Sequence, residues 1–173
     1  MAVAVRYKEM LYIITGLPYA GKTTLVHELV RRFGFTAISV DEFIDQGGYV
    51  VERMTQADWD RVYTQAFQGL RNHLLRNKTV VFDGGSLKRS ERDTLKRIAE
   101  EAGALAKLIY INTPRDVIGK RWLENQTSKV RDHVEETTMD KALDMFEEPQ
   151  REENPILYNQ NTNLESWIKT NII

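Results

Sequence analysis

The sequence contains no cysteine among its 173 residues. This excludes disulfides, a thiol nucleophile and cysteine-ligated zinc. Neither sign of charge is in excess, because 24 Lys and Arg residues stand against 25 Asp and Glu residues, a formal net charge of -1. No global field therefore favours nucleic acid or an anionic membrane, although a local cleft could still take a nucleic-acid substrate.

Long apolar runs are also absent. No stretch is long enough to cross a bilayer, and the apolar run before Met10 is too short for a signal peptide. We therefore expect no membrane association and a cytoplasmic location. The composition, 42% hydrophobic and 28% charged, is ordinary for a globular protein. The length suits one domain with a single core, so residues 1–173 are expected to form one domain.

Two of the few glycines fall in one motif. Residues 16–23 read G-x-x-x-x-G-K-T, the pattern of a phosphate-binding loop. Gly16 and Gly21 permit backbone angles that turn successive N–H groups toward a phosphate. Lys22 supplies a cation for the β- and γ-phosphates, and the Thr23 hydroxyl is placed to ligate Mg²⁺. The predicted nucleotide-binding residues are Gly16, Pro18, Tyr19, Ala20, Gly21, Lys22, Thr23 and Thr24.

The segments that flank the loop agree with this interpretation. Residues 10–14 form a short apolar run typical of a buried strand. After the loop, apolar residues recur at helical spacing as far as Phe33, and Gly34 stands where a helix C-cap glycine belongs. Strand, glycine-rich turn and helix therefore follow one another, as the motif requires. The alternative is an ordinary glycine turn between a strand and a helix.

The rest of the chain alternates strands with helices. Further strands are predicted at 35–40, 79–83, 106–111 and 156–158. Helices are predicted at 55–76, from Ser86 or Ser90 to Gly103, from Thr113 to about 125, at 137–148 and at 164–172. This alternation predicts an α/β fold, a three-layer sandwich with a parallel sheet of about five strands. Residues 126–136 are polar and aperiodic, and we predict a short mobile lid there.

Two aspartates follow predicted strands at the edge where such sheets bind ligands. Asp83 comes after three apolar residues, as a Walker-B aspartate does, and is predicted to hold Mg²⁺ opposite Thr23. Asp41 ends the second strand and is the predicted general base for an acceptor hydroxyl. The alternatives are that Asp83 only caps a turn and that Asp41 only caps a helix.

Charge that develops on a transferred phosphoryl group requires cations that close over it. Arg121 lies on the helix that enters the predicted lid, and Arg131 lies within the lid. We predict that these two arginines act in catalysis. The alternative is a solvated basic face, which is the interpretation we prefer for Lys120 and Lys129.

In their order along the chain, these motifs resemble the small P-loop kinases grouped with polynucleotide 5′-hydroxyl kinase, chloramphenicol phosphotransferase and the zeta toxins. The resemblance, to an AAA-type ATP-binding domain, spans about residues 11–149. It implies a P-loop hydrolase or kinase fold, ATP with Mg²⁺, and transfer of the γ-phosphoryl group to a hydroxyl. Asp41 falls where these enzymes carry the activating aspartate, and Arg121 where they carry a lid arginine. Many relatives have Thr or Asn soon after the Walker-B aspartate, whereas this chain has Gly84 and Gly85.

Three other functions are weighed against an ATP-dependent kinase. A GTP-binding switch needs Asn-Lys-x-Asp after a strand, and residues 77–80 lack the Asp and precede a strand. An AAA-type motor generally needs a larger core and a companion helical domain. A nucleotide-binding regulator, or a plain NTPase without an acceptor, would tolerate the loss of Asp41. No motif identifies the hydroxyl-bearing acceptor, which is either a small molecule or a nucleic acid.

Overall fold

The centre of the fold is a parallel sheet of five strands. The computed structural model describes residues 9–130, 134–159 and 161–172. The strands are β1 (Met10–Thr15), β2 (Thr36–Ser39), β3 (Val80–Asp83), β4 (Leu105–Ile111) and β5 (Ile156–Tyr158). They lie side by side in the order β2-β3-β1-β4-β5, and every neighbouring pair is parallel.

Helices connect the strands and cover both faces of the sheet. They are α1 (Lys22–Phe33), α2 (Val40–Gln46), α3 (Gln56–Leu75), α4 (Arg89–Glu101), α5 (Arg115–Ser128), α6 (Glu136–Met145) and α7 (Leu164–Asn171). Two single 3-10 turns stand at Val51–Arg53 and Arg151–Glu153. None of these helices combines the length and the apolar character that crossing a bilayer requires.

The central strand β1 shows why the sheet needs both helical layers. Leu11 and Ile13 point into a core shared with α2, α3 and α4. Tyr12 and Ile14 point into a second core on the opposite face, shared with α1 and α7. All four side chains are buried, as expected for a parallel strand covered on both faces. The α/β three-layer fold predicted from the sequence is confirmed.

Two of the predicted helix ends are formed as the sequence indicates. Gly34 ends α1 in the left-handed conformation, with φ 66°, and its N–H donates to the carbonyl of Val30. Thr55 and Asp58 form a capping box at the start of α3, in which each side chain accepts the other residue's backbone N–H. Both boundaries are thus formed by residues that are close in sequence, through backbone conformation at Gly34 and side-chain capping at Thr55.

Other predicted boundaries are wrong by a few residues. Neither Ser86 nor Ser90 caps α4, which begins at Arg89 after the cap residue Lys88. The Lys88 N–H donates to the carboxylate of Glu91 at 3.0 Å, so an acidic side chain one turn inside the helix does the capping. Helix α5 begins at Arg115, one residue later than a cap at Thr113 would give.

The predicted lid is shorter in the structure than in the sequence analysis. Residues 126–128 continue α5, which ends at Lys129 in the left-handed conformation with φ 48°. Glu136 already belongs to α6. Only residues 129–135 remain between the two helices, and 131–133 of these, including Arg131, lie outside the described residues. A polar surface helix without an apolar stripe was therefore mistaken for a loop.

Candidate active site

The phosphate loop connects β1 to α1 and is packed closely against β4. A Cβ atom on Gly16 would lie 2.9 Å from the carbonyl oxygen of Ile111, so no larger residue fits without a shift. Gly21, with φ 107°, turns the backbone into the first residue of α1. Both glycines of the motif are thus required by the structure, one for close approach and one for its backbone angle.

Lys22 is the first residue of α1, and its side chain turns back over the loop. Its ammonium donates to the carbonyls of Gly16 and Leu17, each at 2.9 Å. Burial lowers the pKa of Lys22, the carboxylates of Asp83 and Asp41 raise it, and the net shift is downward. A phosphate at this position would bring a negative charge close to an ammonium whose charged form is disfavoured by burial.

Thr23 and Asp83 meet beside the loop. The Thr23 hydroxyl donates to the Asp83 carboxylate at 3.3 Å. Burial raises the pKa of Asp83, more than the Lys22 charge and the Thr23 hydrogen bond lower it. The described residues hold no group of three or more His, Cys, Asp or Glu suited to a metal. A hydroxyl and a single carboxylate nevertheless fit Mg²⁺, which proteins bind through one or two carboxylates together with substrate phosphates.

Asp41 does not end a strand, as the sequence predicts, but lies two residues beyond the end of β2. Strand β2 stops at Ser39, and Asp41 is in the first turn of α2. Ser39 occupies the N-cap position, so Asp41 is not the cap of this helix. The Asp41 side chain is exposed, and its charge raises both the pKa of Lys22 and that of Tyr63. Asp41 is therefore close enough to Lys22 of α1 and to Tyr63 of α3 for its charge to act on both.

The two glycines after Asp83 allow α2 and α3 to pack close to the end of β3. A Cβ on Gly84 would lie 2.2 Å from the Cγ2 atom of Val40, the first residue of α2. A Cβ on Gly85 would lie 2.4 Å from the Tyr63 hydroxyl, and Gly85 has φ 57°. These glycines allow two helices to pack against the end of β3. The departure from the relatives' Thr or Asn thus has a steric cause here.

Arg121 lies on α5, the helix that precedes the predicted lid, and its side chain contacts the phosphate loop. One guanidinium nitrogen donates to the carbonyls of Tyr19 at 2.9 Å and Ala20 at 3.3 Å. The same loop receives a hydrogen bond from Thr113, whose buried hydroxyl donates to Ala20 at 2.7 Å. Asn125, also on α5, donates to the Tyr19 hydroxyl at 3.1 Å. The sequence analysis missed Thr113 and Asn125, because their partners lie about a hundred residues away.

A cavity of about 430 Å³ opens on the α5 side of the phosphate loop. Tyr19, Gly21 and Thr24 of the predicted nucleotide-binding set line it, and so does Arg121. Its other walls come from α1, α5, Tyr158 and Leu164. The aromatic and aliphatic side chains here offer a flat apolar contact of the kind that a nucleobase needs.

A second and larger cavity, of about 880 Å³, opens on the opposite side, between α3, α4 and α6. Gly84 and Ser86, which follow Asp83 in sequence, form its inner end. Tyr63 also lines it, and burial, followed by the charges of Glu91 and Asp41, raises the pKa of this phenol to about 12. Asp41 and Asp83 are not lining residues, but Phe82 and Gly84, on either side of Asp83, both line this cavity.

A buried ion pair holds the segment that leads from β3 into this cavity. Arg92 is fully buried, and its guanidinium makes two hydrogen bonds to Glu153, at 2.7 and 3.0 Å. A third nitrogen donates to the carbonyls of Ser86 and Leu87. Ser86 has the left-handed φ of 59°, and Thr15 also donates to its carbonyl. Sequence analysis had no signal for this pair, since its members are 61 residues apart.

Comparison with known proteins agrees with this geometry. The model of the AAA domain family matches residues 11–149. The protein named "Probable gluconokinase" of Schizosaccharomyces pombe is 24% identical over 159 residues, which cover 86% of this chain and 78% of the relative. The chain superposes on a sugar kinase of Janibacter sp. HTCC2649 with a TM-score of 0.66, 18% identity and coverage of 95% and 92%.

A third relative was solved with ligands. The Mycobacterium tuberculosis APS kinase CysC, in complex with AMPPNP and APS, gives a TM-score of 0.64 at 14% identity, covering 94% of this chain and 95% of that one. Identities this low establish the shared fold and nothing finer. The family match, however, covers most of the chain and contains the whole phosphate loop. The chain therefore belongs to the AAA domain family, among its small ATP-dependent P-loop kinases.

Proposed function

We propose that this protein transfers the γ-phosphoryl group of Mg-ATP to the hydroxyl of an acceptor bound between α3, α4 and α6. One observation carries the proposal. The charges of Asp83 and Asp41 both act on Lys22, and cavities lie on two sides of these residues. One is lined by Gly21 and Thr24 next to Lys22, and the other by Phe82 and Gly84 on either side of Asp83. A phosphotransferase needs this arrangement, because donor and acceptor must meet end to end at the phosphorus that is transferred.

Each residue has a role in that reaction. The loop amides and Lys22 hold the β- and γ-phosphates, and the N-terminus of α1 adds its dipole. The acceptor oxygen attacks the γ-phosphorus, and the bond from that phosphorus to the bridging oxygen breaks to release ADP. The hydroxyl proton passes to the Asp41 carboxylate. Arg121 keeps the loop in shape through its two carbonyl contacts, and Arg131 remains a sequence prediction for a second cation.

Thr23 and Asp83 are the proposed Mg²⁺ ligands. Their oxygen atoms are 3.3 Å apart, and Asp83 is already partly desolvated. A cation there would favour the ionised carboxylate and offset the effect of burial. When bound, the ion would neutralise charge on the transferred phosphoryl group.

The direct test is to follow radiolabelled γ-phosphate from ATP to a panel of hydroxyl compounds. The panel should include sugars, sugar acids such as gluconate, amino alcohols and 5′-hydroxyl oligonucleotides. We expect a phosphate ester to form on one class and ADP to appear in equal amount. ADP released at one rate with every compound, with no ester formed, would contradict the proposal and favour a plain NTPase.

The nucleotide-binding regulator is the second candidate function. Lys22, Thr23 and Asp83 are compatible with this function, because a regulator needs the same nucleotide-binding side chains as a kinase. The larger cavity, which is lined by the neighbours of Asp83 in sequence, counts against it, because a pure regulator needs no acceptor site. The proposal also includes a single domain over residues 1–173, a lid within residues 129–135 between α5 and α6, and a cytoplasmic location.

A further inference from the structure

The larger cavity combines a strong charge imbalance with an aromatic wall. Its charged lining residues within the described chain are four acids and one base, which give a net charge of -3 at neutral pH: Glu52, Asp60, Glu91, Glu135 and Lys141. The protein as a whole carries only -1. The excess is therefore a local property of this cavity and not a consequence of composition.

The aromatic wall runs along one side of α3 into the sheet. Trp59, Tyr63 and Phe67 are spaced four residues apart, so they share one face of the helix. Successive ring centroids lie 6.2 Å apart for Trp59 and Tyr63, 5.6 Å for Tyr63 and Phe67, and 6.1 Å for Phe67 and Phe82. All four rings line the cavity. Aromatic faces attract cations and apolar groups, and they do not attract anions.

Carboxylates alone would not define a site, and they do not here. The cavity is defined by its volume of about 880 Å³, by its aromatic wall and by Phe82 and Gly84, the lining residues on either side of Asp83. An acceptor that approaches Asp83 through this cavity would meet both the rings and the acids that line it. Its own charge must then suit a lining of net -3.

We propose that the acceptor is a cationic amino alcohol: a hydroxyl compound with a protonated amine on an apolar or aromatic body. This inference rests on the proposed function and adds the class of the substrate. The amine would meet the carboxylates and an aromatic face, the apolar body would cover the ring wall, and the hydroxyl would point to Asp41. A sugar acid, a sulfate ester or a polynucleotide would instead bring negative charge into an acidic cavity.

Three probes that differ in charge but share a phenyl ring and a hydroxyl test the proposal. They are 2-amino-3-phenylpropan-1-ol, its neutral N-acetyl derivative and anionic 3-phenyllactate. Calorimetry on the full chain with Mg-AMPPNP should give the amine an affinity about tenfold higher than the N-acetyl derivative, with phenyllactate weakest. The difference should shrink as salt is added. Equal affinities, tightest binding of the anion, or no binding of the amine at millimolar concentration would overturn the proposal.

Variants of the lining residues test whether the preference for a cationic ligand arises in this cavity. The double variant Glu52→Gln, Asp60→Asn should lower the affinity for the amine by about threefold to tenfold, and Lys141→Gln should raise it. Glu100→Gln removes an exposed carboxylate of α4 that does not line the cavity, and it should change nothing. If the double variant and Glu100→Gln give the same affinity, the cation is not recognised here and the proposal fails.

Phosphate transfer in the same samples separates the two proposals. An ester formed on phenyllactate in preference to the amine would support the kinase and overturn the cationic acceptor. Tight binding of the amine without transfer from ATP to any hydroxyl compound would keep the charge preference and contradict the kinase. Preferred binding of the amine together with ester formation on its hydroxyl would support both.

Discussion

Asp41 decides whether the molecule is a catalyst or only a nucleotide binder. Its exposed carboxylate stands near Lys22 and Tyr63 and is not the cap of α2. Asp41→Asn keeps the size of the side chain but removes the proton acceptor. Phosphate transfer to the acceptor should fall by about 10²–10⁴-fold, the usual contribution of a general base. Affinity for ATP, measured by calorimetry, should hardly change.

Glu42→Gln is the matched control, since Glu42 is the next residue of the same exposed helical turn. Its transfer rate should remain at the wild-type value. A wild-type rate in Asp41→Asn would show that Asp41 only favours the dipole of α2, and the kinase would then lack its base.

At the scale of elements, Gly84 sets the distance between α2 and β3. Its Cβ would fall 2.5 Å from the Cβ of Val40, so Gly84→Ala should push α2 away and carry Asp41 with it. We expect a stability loss of about 1–3 kcal/mol from the overpacking. Transfer should fall by about 10²-fold, because a shift near 1 Å misaligns the base. Thermal unfolding and turnover measure the two effects.

Gly119→Ala provides the control for this substitution. Gly119 lies inside α5 with open space where its Cβ would stand, so the same change should stabilise the protein by about 0.5–1 kcal/mol. Transfer at the wild-type rate in Gly84→Ala would mean that α2 does not need to contact β3.

The Arg92–Glu153 pair connects a 3-10 turn near the C-terminus to the loop after β3. Burial raises the pKa of Glu153, but the hydrogen bonds from Arg92 and from the Gln150 N–H outweigh it and lower the pKa. A lowered pKa stabilises the fold above the unfolded value of about 4.3 and loses that effect as the pH falls through the folded value. Stability should therefore decrease as the pH falls below about 4.5.

Glu153→Gln should lower the free energy of unfolding at pH 7 by about 3–5 kcal/mol, because it leaves a buried guanidinium without its counter-charge. It should also flatten the acid limb of the stability curve. Urea unfolding at several pH values measures both effects. Glu152→Gln, at the exposed neighbouring position, is the control. An unchanged acid limb in Glu153→Gln would assign the pH dependence to other carboxylates.

At the scale of the whole molecule, local patterns in the sequence predicted the order of strands and helices but not their arrangement. Apolar alternation and cap residues are local, and they located β1, α1 and α3 well. The sheet order is not local, since β1 pairs with β3 and β4 and not with β2. Asp83 therefore stands on the strand next to β1, which leads into the phosphate loop, and Asp41 lies on α2, the helix that follows the edge strand β2.

The residues of the site also fall into those that local sequence predicts and those that it does not. The phosphate loop could be predicted residue by residue, because its function depends on consecutive backbone groups. The brace formed by Thr113 and Arg121 could not, because it joins α5 to a loop about a hundred residues earlier. Arg121 was identified by its position before a lid, whereas its contacts are with loop carbonyls.

Nucleotide binding should stabilise the molecule as a whole, because the loop joins the central strand to α1 and is braced by α5. At a concentration of AMPPNP with Mg²⁺ a hundred times its dissociation constant, the expected stabilisation is about 2.7 kcal/mol. For a chain of this length, that raises the melting temperature by about 5–10 °C. Lys22→Ala should bind ATP more weakly by about 1.5–3 kcal/mol and lose most of the shift at the same concentration. Lys169→Ala, an exposed position on α7, should retain it.

The guanine analogue GMPPNP completes the comparison. Residues 77–80 lack the guanine-reading Asp, so AMPPNP should give the larger shift at equal concentration. A larger shift with GMPPNP would favour the GTP-binding switch. Equal shifts in Lys22→Ala and in the wild-type protein would mean that the nucleotide binds away from the phosphate loop. The roles assigned to Thr23, Asp83 and Asp41 would then be wrong, because all three depend on a nucleotide bound at this loop.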